Sequence, residues 1–261
     1  MVVESIDLKN FRNYEILNMN FDSNVNIIYG DNAQGKTNIL ESLYLCSTSK
    51  SHRGSKDKEI IKLGTNEAHI KVNVKKHEIN YRIDMHLKQG KSKGIAINGI
   101  PIRKAVELFG IINIVLFSPE DLNIIKNGPG ERRRFIDMEL SQLDKIYLSN
   151  LVNYNKVVNQ RNKLLKDISF NPSKESIDTL DIWDIQLVKF GKEIIKGRVR
   201  FINQINEIIS DIHNKLTGGK EKLDIKYIPN VLEEDFSKRV LESRERDLKY
   251  KILNHPYVDQ H

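Results

Sequence analysis

Eight consecutive residues constrain this chain more than any others. Gly30-Asp31-Asn32-Ala33-Gln34-Gly35-Lys36-Thr37 fit the pattern G-x-x-x-x-G-K-[ST], the Walker A phosphate-binding loop. Each residue type in it has a physical task. The two glycines let the backbone turn tightly, so that its N–H groups converge on phosphate oxygens. Lys36 supplies a point charge to the β- and γ-phosphates, and Thr37 offers a hydroxyl to Mg²⁺. The helix that such a loop opens adds the positive end of its dipole. Thus the loop demands an α/β setting, with a strand before it and a helix after it. The sequence offers both: Val25-Asn26-Ile27-Ile28-Tyr29 is a β-branched and aromatic run, and Ile39, Leu40, Leu43 and Tyr44 fall at helical spacing.

Around this loop the first third of the chain reads as strands. Val2 to Leu8 and Glu15 to Phe21 alternate apolar and polar residues on either side of a break at Asn10–Tyr14, the pattern of an antiparallel pair. Ala68 to Val74, Glu78 to Leu87 and Gly94 to Ile97 are further strands, with Asn98-Gly99 as a hairpin turn. Ile111 to Phe117 reads as a buried strand stopped by Ser118-Pro119. From there the period changes. Ile136, Leu140, Leu143, Tyr147, Leu151, Tyr154 and Val158 recur at steps of three and four. A second series runs Leu180, Trp183, Leu187, Phe190 and Ile194, then Ile202, Ile205, Ile209, Ile212 and Leu216. Two long helices about the turn at Ser169–Ser173 make an antiparallel helical hairpin. Packing against an ordinary core and projection as an arm fit this pattern equally well.

The nucleotide is narrowed by what accompanies the loop. A guanine site carries Asn-Lys-x-Asp and D-x-x-G elements, and neither occurs, since Asn162-Lys163 and Asn214-Lys215 lack the following Asp. ATP is the expected cofactor, with Mg²⁺. A second acid closing an apolar strand is the other requirement of the class. Glu120 and Asp121 follow Ile111–Phe117 too late and after a proline, so they are not taken as that acid. The sequence therefore displays half of an ATPase site.

Charge adds a partner. The 261 residues carry 42 Lys and Arg against 35 Asp and Glu, a net +7, and residues 1–118 alone hold 17 basic against 12 acidic side chains. A clustered basic excess favours polyanions such as nucleotides or nucleic acid. Lys50 and Arg53, which could instead stabilise charge at the nucleotide, and Lys91, Lys93, Arg103 and Lys104 around two hairpins, are the candidate DNA contacts, suited to phosphate rather than to base edges. A solvated charge run is the plain alternative for Lys50–Arg53 and for the run Arg132–Arg134. Arg132, Arg133 and Arg134 at the start of the helical region spread around their helix. His52, His69, His77 and His86 do not fall at metal-ligand spacing with Cys or Asp, and no nucleophile triad is evident. Cys46 stands alone, which excludes a disulfide framework. No basic and apolar leader follows Met1, and the longest uncharged apolar run is Ile111–Phe117, too short to span a bilayer. A cytoplasmic protein without membrane contact is expected.

Several separated motifs in order resemble the RecF family, DNA-repair ATPases with an ABC-type head related to SMC proteins. They are Leu8-Lys9-Asn10-Phe11-Arg12-Asn13-Tyr14; Gly30 to Thr37 with Asn38-Ile39-Leu40-Glu41-Ser42; Lys50-Ser51-His52-Arg53; Phe117-Ser118-Pro119-Glu120-Asp121-Leu122; Gly128 through Asp137; and Asn155 to Leu164. The resemblance extends to about Asp247. It implies a P-loop ABC-type head, a mixed sheet around the Walker A helix, with an inserted antiparallel helical-hairpin arm. Residues 1–118 would be the N-terminal part of the head, 119–225 the arm and 226–261 a return segment. It further implies an ATP-dependent clamp that dimerises head to head with two ATP molecules between its subunits. Such a clamp binds gapped or single-stranded DNA without regard to sequence, and works with recombination mediator proteins in recombinase loading and the SOS response. By the same resemblance Arg12 and Asn13 lie near the nucleotide. The family's signature loop and Walker B acids are not seen before His261, and Tyr250 to His261 match the family poorly. A truncated or divergent member is therefore expected. A small-molecule phosphotransferase using the same loop is the alternative, although it would not need a hundred residues of helical hairpin.

Overall fold

A computed structural model describes residues 1–253, apart from the side chains of Glu120 and Asn123. The chain forms two compact units that divide after Ser118.

The first unit is built on a six-stranded sheet of order β2-β1-β3-β4-β5-β6. Its strands are β1 (Val2–Phe11), β2 (Tyr14–Asn20), β3 (Glu67–Lys76), β4 (Ile79–Lys88), β5 (Gly94–Ile97) and β6 (Ile100–Pro101). Expected to be mixed, the sheet is antiparallel in every strand pairing among the described residues. Register follows from alternation: Ile6 faces Val72, Leu8 faces Ile70, and Ile70 and Val72 face Met85 and Ile83. All six are buried on one face, and a one-residue slip would turn them into water. Helix α1 (Lys36–Thr48) packs on that face through Leu43, Leu45 and Cys46, and a one-turn helix, α2 (Asp57–Ile60), adds Ile60 to the same core. The Asn98-Gly99 turn has φ of 52° and 81°, the left-handed pair that a two-residue hairpin requires.

Two expected strands do not form. Residues 25–29 and 113–117 run as irregular chain. Val25, Ile27 and Tyr29 are 76%, 80% and 89% exposed, and Val115 and Phe117 are 83% and 81% exposed. Their composition suits a strand, but a strand exists only where a neighbour satisfies its N–H and C=O groups. Neither run pairs with a strand among the described residues.

The second unit is helical. A short helix, α3 (Asn123–Lys126), precedes α4 (Pro129–Leu143), α5 (Lys145–Phe170), α6 (Lys174–Thr217) and α7 (Phe236–Tyr250). The first long helix of the expected hairpin is in fact two. It breaks at Asp144, whose carboxylate accepts the N–H groups of Ile146 (2.8 Å) and Tyr147 (3.0 Å), and Leu143 is left exposed. Helices α5 and α6 pair closely around the turn at 171–173. Helix α7, from the stretch expected to return toward the head, packs within this unit on α5 and α6. Gly191 makes that docking possible, because a Cβ there would run into the ring of Phe236. Two fully buried arginines clamp the bundle: Arg161 reaches Asp184 (2.6 Å) and Asp247 (2.8 Å), and Arg198 holds both carboxylate oxygens of Asp137 (2.8 and 2.9 Å). No helix among the described residues is long and apolar enough to cross a membrane.

Candidate functional site

The loop 30–35 enters α1 through two glycines in conformations that other residues rarely adopt, Gly30 at φ 145° and Gly35 at φ 95°. Gly35 is constrained twice, since a Cβ there would lie 2.5 Å from the Asn13 side chain. Residues 30–34 are exposed, and α1 begins with no side-chain cap and no acid in its first turn. The Asn38 N–H is taken by the Gly35 carbonyl (2.7 Å), which leaves those of Lys36 and Thr37 to face an anion, with the helix dipole behind them. Lys36 folds back over the loop, and its Nζ donates to the carbonyls of Gly30 and Asp31, both at 2.7 Å. The ammonium therefore already stands over the loop, tied to neutral acceptors. Thr37 is exposed beside it on the first turn. A loop of this shape, with an open helix terminus and a poised ammonium, fits a polyphosphate.

The two residues expected beside the loop part company. Asn13 lies against it: its Nδ2 donates to the Gln34 carbonyl (3.1 Å), and its Oδ1 accepts from Asn38 Nδ2 (2.9 Å). Arg12, at φ 52°, turns away to the buried Glu41 of α1. Its Nε and Nη2 grip the two carboxylate oxygens at 2.9 and 2.6 Å, while Nη1 reaches the Glu59 carbonyl and Nη2 also meets Ser55 Oγ. Glu41 accepts a further bond from Ser51 Oγ (2.6 Å), and Arg53 stands 3.9 Å away. Burial alone would raise this carboxyl. The hydrogen bonds from Arg12 and Ser51, with the charges of Arg12 and Arg53, outweigh it and hold Glu41 below the usual carboxylate range. Arg53 in turn donates to Asn38 Oδ1 (3.3 Å). A continuous polar network thus runs from Glu41 through Arg53, Asn38 and Asn13 to the loop itself.

Sequence reasoning assigns no site role to Glu41, Asn38, Ser51 or Ser55. A carboxylate within the apolar stretch Ile39–Leu43 of a helix is the available sign, since a buried charge needs a partner. Of the candidate DNA contacts, Arg53 is engaged in this network, and Lys93 is engaged by the Ser49 carbonyl (2.7 Å) and Asp57 (2.8 Å). Lys50, Lys91, Arg103 and Lys104 are exposed. Cys46 is fully buried, its thiol pushed up to about 12 by burial and by the charge of Asp84, which leaves it no nucleophilic role.

Comparison with known proteins places these features in one family. Residues 5–254 match a family model described as an AAA domain. The chain is 72% identical over 252 residues to a DNA replication and repair protein RecF of Lachnospira eligens, covering 97% of this chain and 69% of that one. It is 61% identical over 249 residues to the protein of the same name in Agathobacter rectalis, with 95% and 68% covered. Among solved structures, the recombination mediator protein RecF with ATP, of the RecFOR pathway, superposes with a TM-score of 0.87 at 33% identity, covering 98% of this chain and 70% of that one.

Proposed function

The chain belongs to the RecF family of DNA replication and repair proteins, with an ATP-binding head, and from that premise we propose that Gly30–Thr37 hold the phosphates of ATP with Mg²⁺. The observation that carries this reading is the uncapped start of α1 facing a glycine-rich loop with Lys36 folded across it. Lys36 exchanges its two carbonyl partners for phosphate oxygens, and the N–H groups at the head of α1 take up the rest of the charge. The Thr37 hydroxyl would hold the metal ion, which would supply charge neutralisation to the phosphates. Asn13 fixes the loop through Gln34, and Arg12 acts one step away by locking Glu41 and Ser55 in place. Calorimetry on Lys36→Ala tests the reading. Each charge-assisted phosphate contact contributes on the order of 1.5–3 kcal/mol, so ATP affinity should fall at least tenfold while the fold persists. Unchanged affinity would remove the loop from the site.

We further propose that the chain works in the cytoplasm on gapped or single-stranded DNA as the ATP-binding part of a clamp that is an ATP-dependent homodimer in the full-length family member, together with recombination mediator proteins. It would serve recombinase loading and the SOS response. Lys50, Lys91, Arg103 and Lys104 are the exposed cations that would follow the phosphate backbone. If these four neutralise one phosphate each, log affinity should fall with log salt at a slope of roughly −3 to −4 and without sequence preference. A flat salt dependence would overturn the assignment.

A further inference from the structure

On the face of the sheet opposite α1, the register of β3 and β4 brings together three residues that sequence spacing keeps apart. His69 and His86 are direct cross-strand partners, and Glu67 lies two residues before His69 on the same face. The imidazoles stack with centroids 4.2 Å apart and planes 10° from parallel. Both turn Nε2 toward one carboxylate: His86 Nε2 is 3.2 Å from Glu67 Oε2, and His69 Nε2 is 3.8 Å from Glu67 Oε1. One ligand atom from each residue lies within 4.8 Å of the others. We propose that Glu67, His69 and His86 form a site for a borderline divalent transition ion, Zn²⁺ in the first instance, separate from the Mg²⁺ of the nucleotide.

The chemistry of the donor set selects the ion. Two imidazoles and one carboxylate suit Zn²⁺, Ni²⁺ or Cu²⁺, whereas Mg²⁺ demands an oxygen shell. Tetrahedral Zn–N bonds of about 2.0 Å place the two nitrogens about 3.3 Å apart, which ring rotations on adjacent strands can reach. Neutral imidazole is the form that ligates such ions. All three side chains are between 42% and 48% exposed, so an ion has access from solvent. Residue 94, opposite His86 on β5, is glycine, which leaves no side chain above that ring. Two cations stand near the cluster: Lys9, opposite His69 on β1, and Lys88, whose Nζ, at the end of a flexible, half-exposed stem, is 3.5 Å from Glu67 Oε2 and so competes directly for the carboxylate. Displacing Lys88 requires only that it swing into water. The three ligands leave a fourth position for water, and the bound ion would staple β3 to β4.

The test is titration of metal-free protein with ZnCl₂ by calorimetry at pH 7.5, in parallel with His69→Ala, His86→Ala and Glu67→Gln. One Zn²⁺ per chain at micromolar concentration is expected, weakened at least tenfold by each histidine variant and several-fold by Glu67→Gln. Excess MgCl₂ should not displace it. Zn²⁺ should also raise the Tm of the wild type and leave that of His86→Ala unmoved, while all metal-free forms melt alike because the side chains are exposed. Absence of binding at about 100 µM, well above the affinities of built zinc sites, or equal binding by the histidine variants, would overturn the proposal.

Discussion

Strands β1, β3 and β4 share their composition with the runs 25–29 and 113–117, yet their fates are opposite. Ile6, Leu8, Ile70, Val72, Ile83 and Met85 are at most 2% exposed, because each strand has a hydrogen-bonded neighbour and α1 covers the shared face. Val25, Ile27, Tyr29, Val115 and Phe117, of the same residue types, lie largely in water. The difference is the pairing rather than the propensity. Strand propensity measures how a side chain fits a pleated, half-buried surface, and it contributes nothing where that surface is missing. The consequence falls on the loop 30–35. Its helix is anchored in a packed core through Leu43, Leu45 and Cys46, while the run leading into Gly30 has no partner strand among the described residues.

The largest effect that separates the two kinds of region is in stability. Phe11 is fully buried at the end of β1, and Phe11→Ala should cost about 3–5 kcal/mol in cavity and lost burial. Phe117→Ala removes the same atoms from solvent and should stay within about 0.5 kcal/mol. Urea unfolding followed by far-UV circular dichroism measures both. Comparable losses would mean that Phe117 is packed after all, and the contrast between the regions would collapse.

Next in size is the network that ties the loop to the packed core. Glu41→Ala leaves Arg12 without its carboxylate in a largely buried setting, and should cost about 3 kcal/mol. The charge-dependent part has a defined pH window. Because the folded Glu41 carboxyl lies below its unfolded value, its stabilisation is complete above about pH 4.3. It is lost as pH falls through the folded value. Stability of the wild type relative to Glu41→Gln should therefore be flat across neutral pH and narrow only in acid. A difference that instead narrows on the alkaline side would assign the network to another group.

What is legible in the sequence follows the same division. Strands β1 to β4 can be read because alternation reports a buried face directly, and the loop can be read because glycines at 30 and 35 answer a backbone demand. Helical periodicity reveals α5 and α6, but not the break at Asp144, since a capping carboxylate between Leu143 and Lys145 leaves the spacing of apolar residues nearly intact. Resemblance puts Arg12 and Asn13 together near the nucleotide. Only the folded chain separates Asn13, which touches the loop, from Arg12, which grips Glu41 from 29 residues away. The His69–His86 pair escapes sequence reading for a similar reason. Metal-ligand spacing along a chain is blind to partners matched across a hairpin, where register rather than sequence distance decides contact.

The smallest effect is expected in catalysis. In the proposed site Lys36 and Thr37 would make ground-state phosphate contacts, and no carboxylate is bonded to either among the described residues. Residues 113–117, the stretch before Ser118-Pro119, are not a strand that would carry an acid to the Thr37 side of the loop. Positioning and electrostatic stabilisation are nearly all of phosphoryl-transfer catalysis, so a loop without an opposing acid binds better than it reacts. The 261-residue polypeptide alone should bind Mg-ATP weakly, remain monomeric with it in light scattering, and release phosphate barely above background. Joined to the remainder of a relative such as that of Lachnospira eligens, of which it spans 69%, it should gain ATP-driven dimerisation and slow turnover. Turnover near ~1 s⁻¹ by the polypeptide alone, at the low end for phosphotransferases, would show that the loop's own surroundings already supply the missing acid.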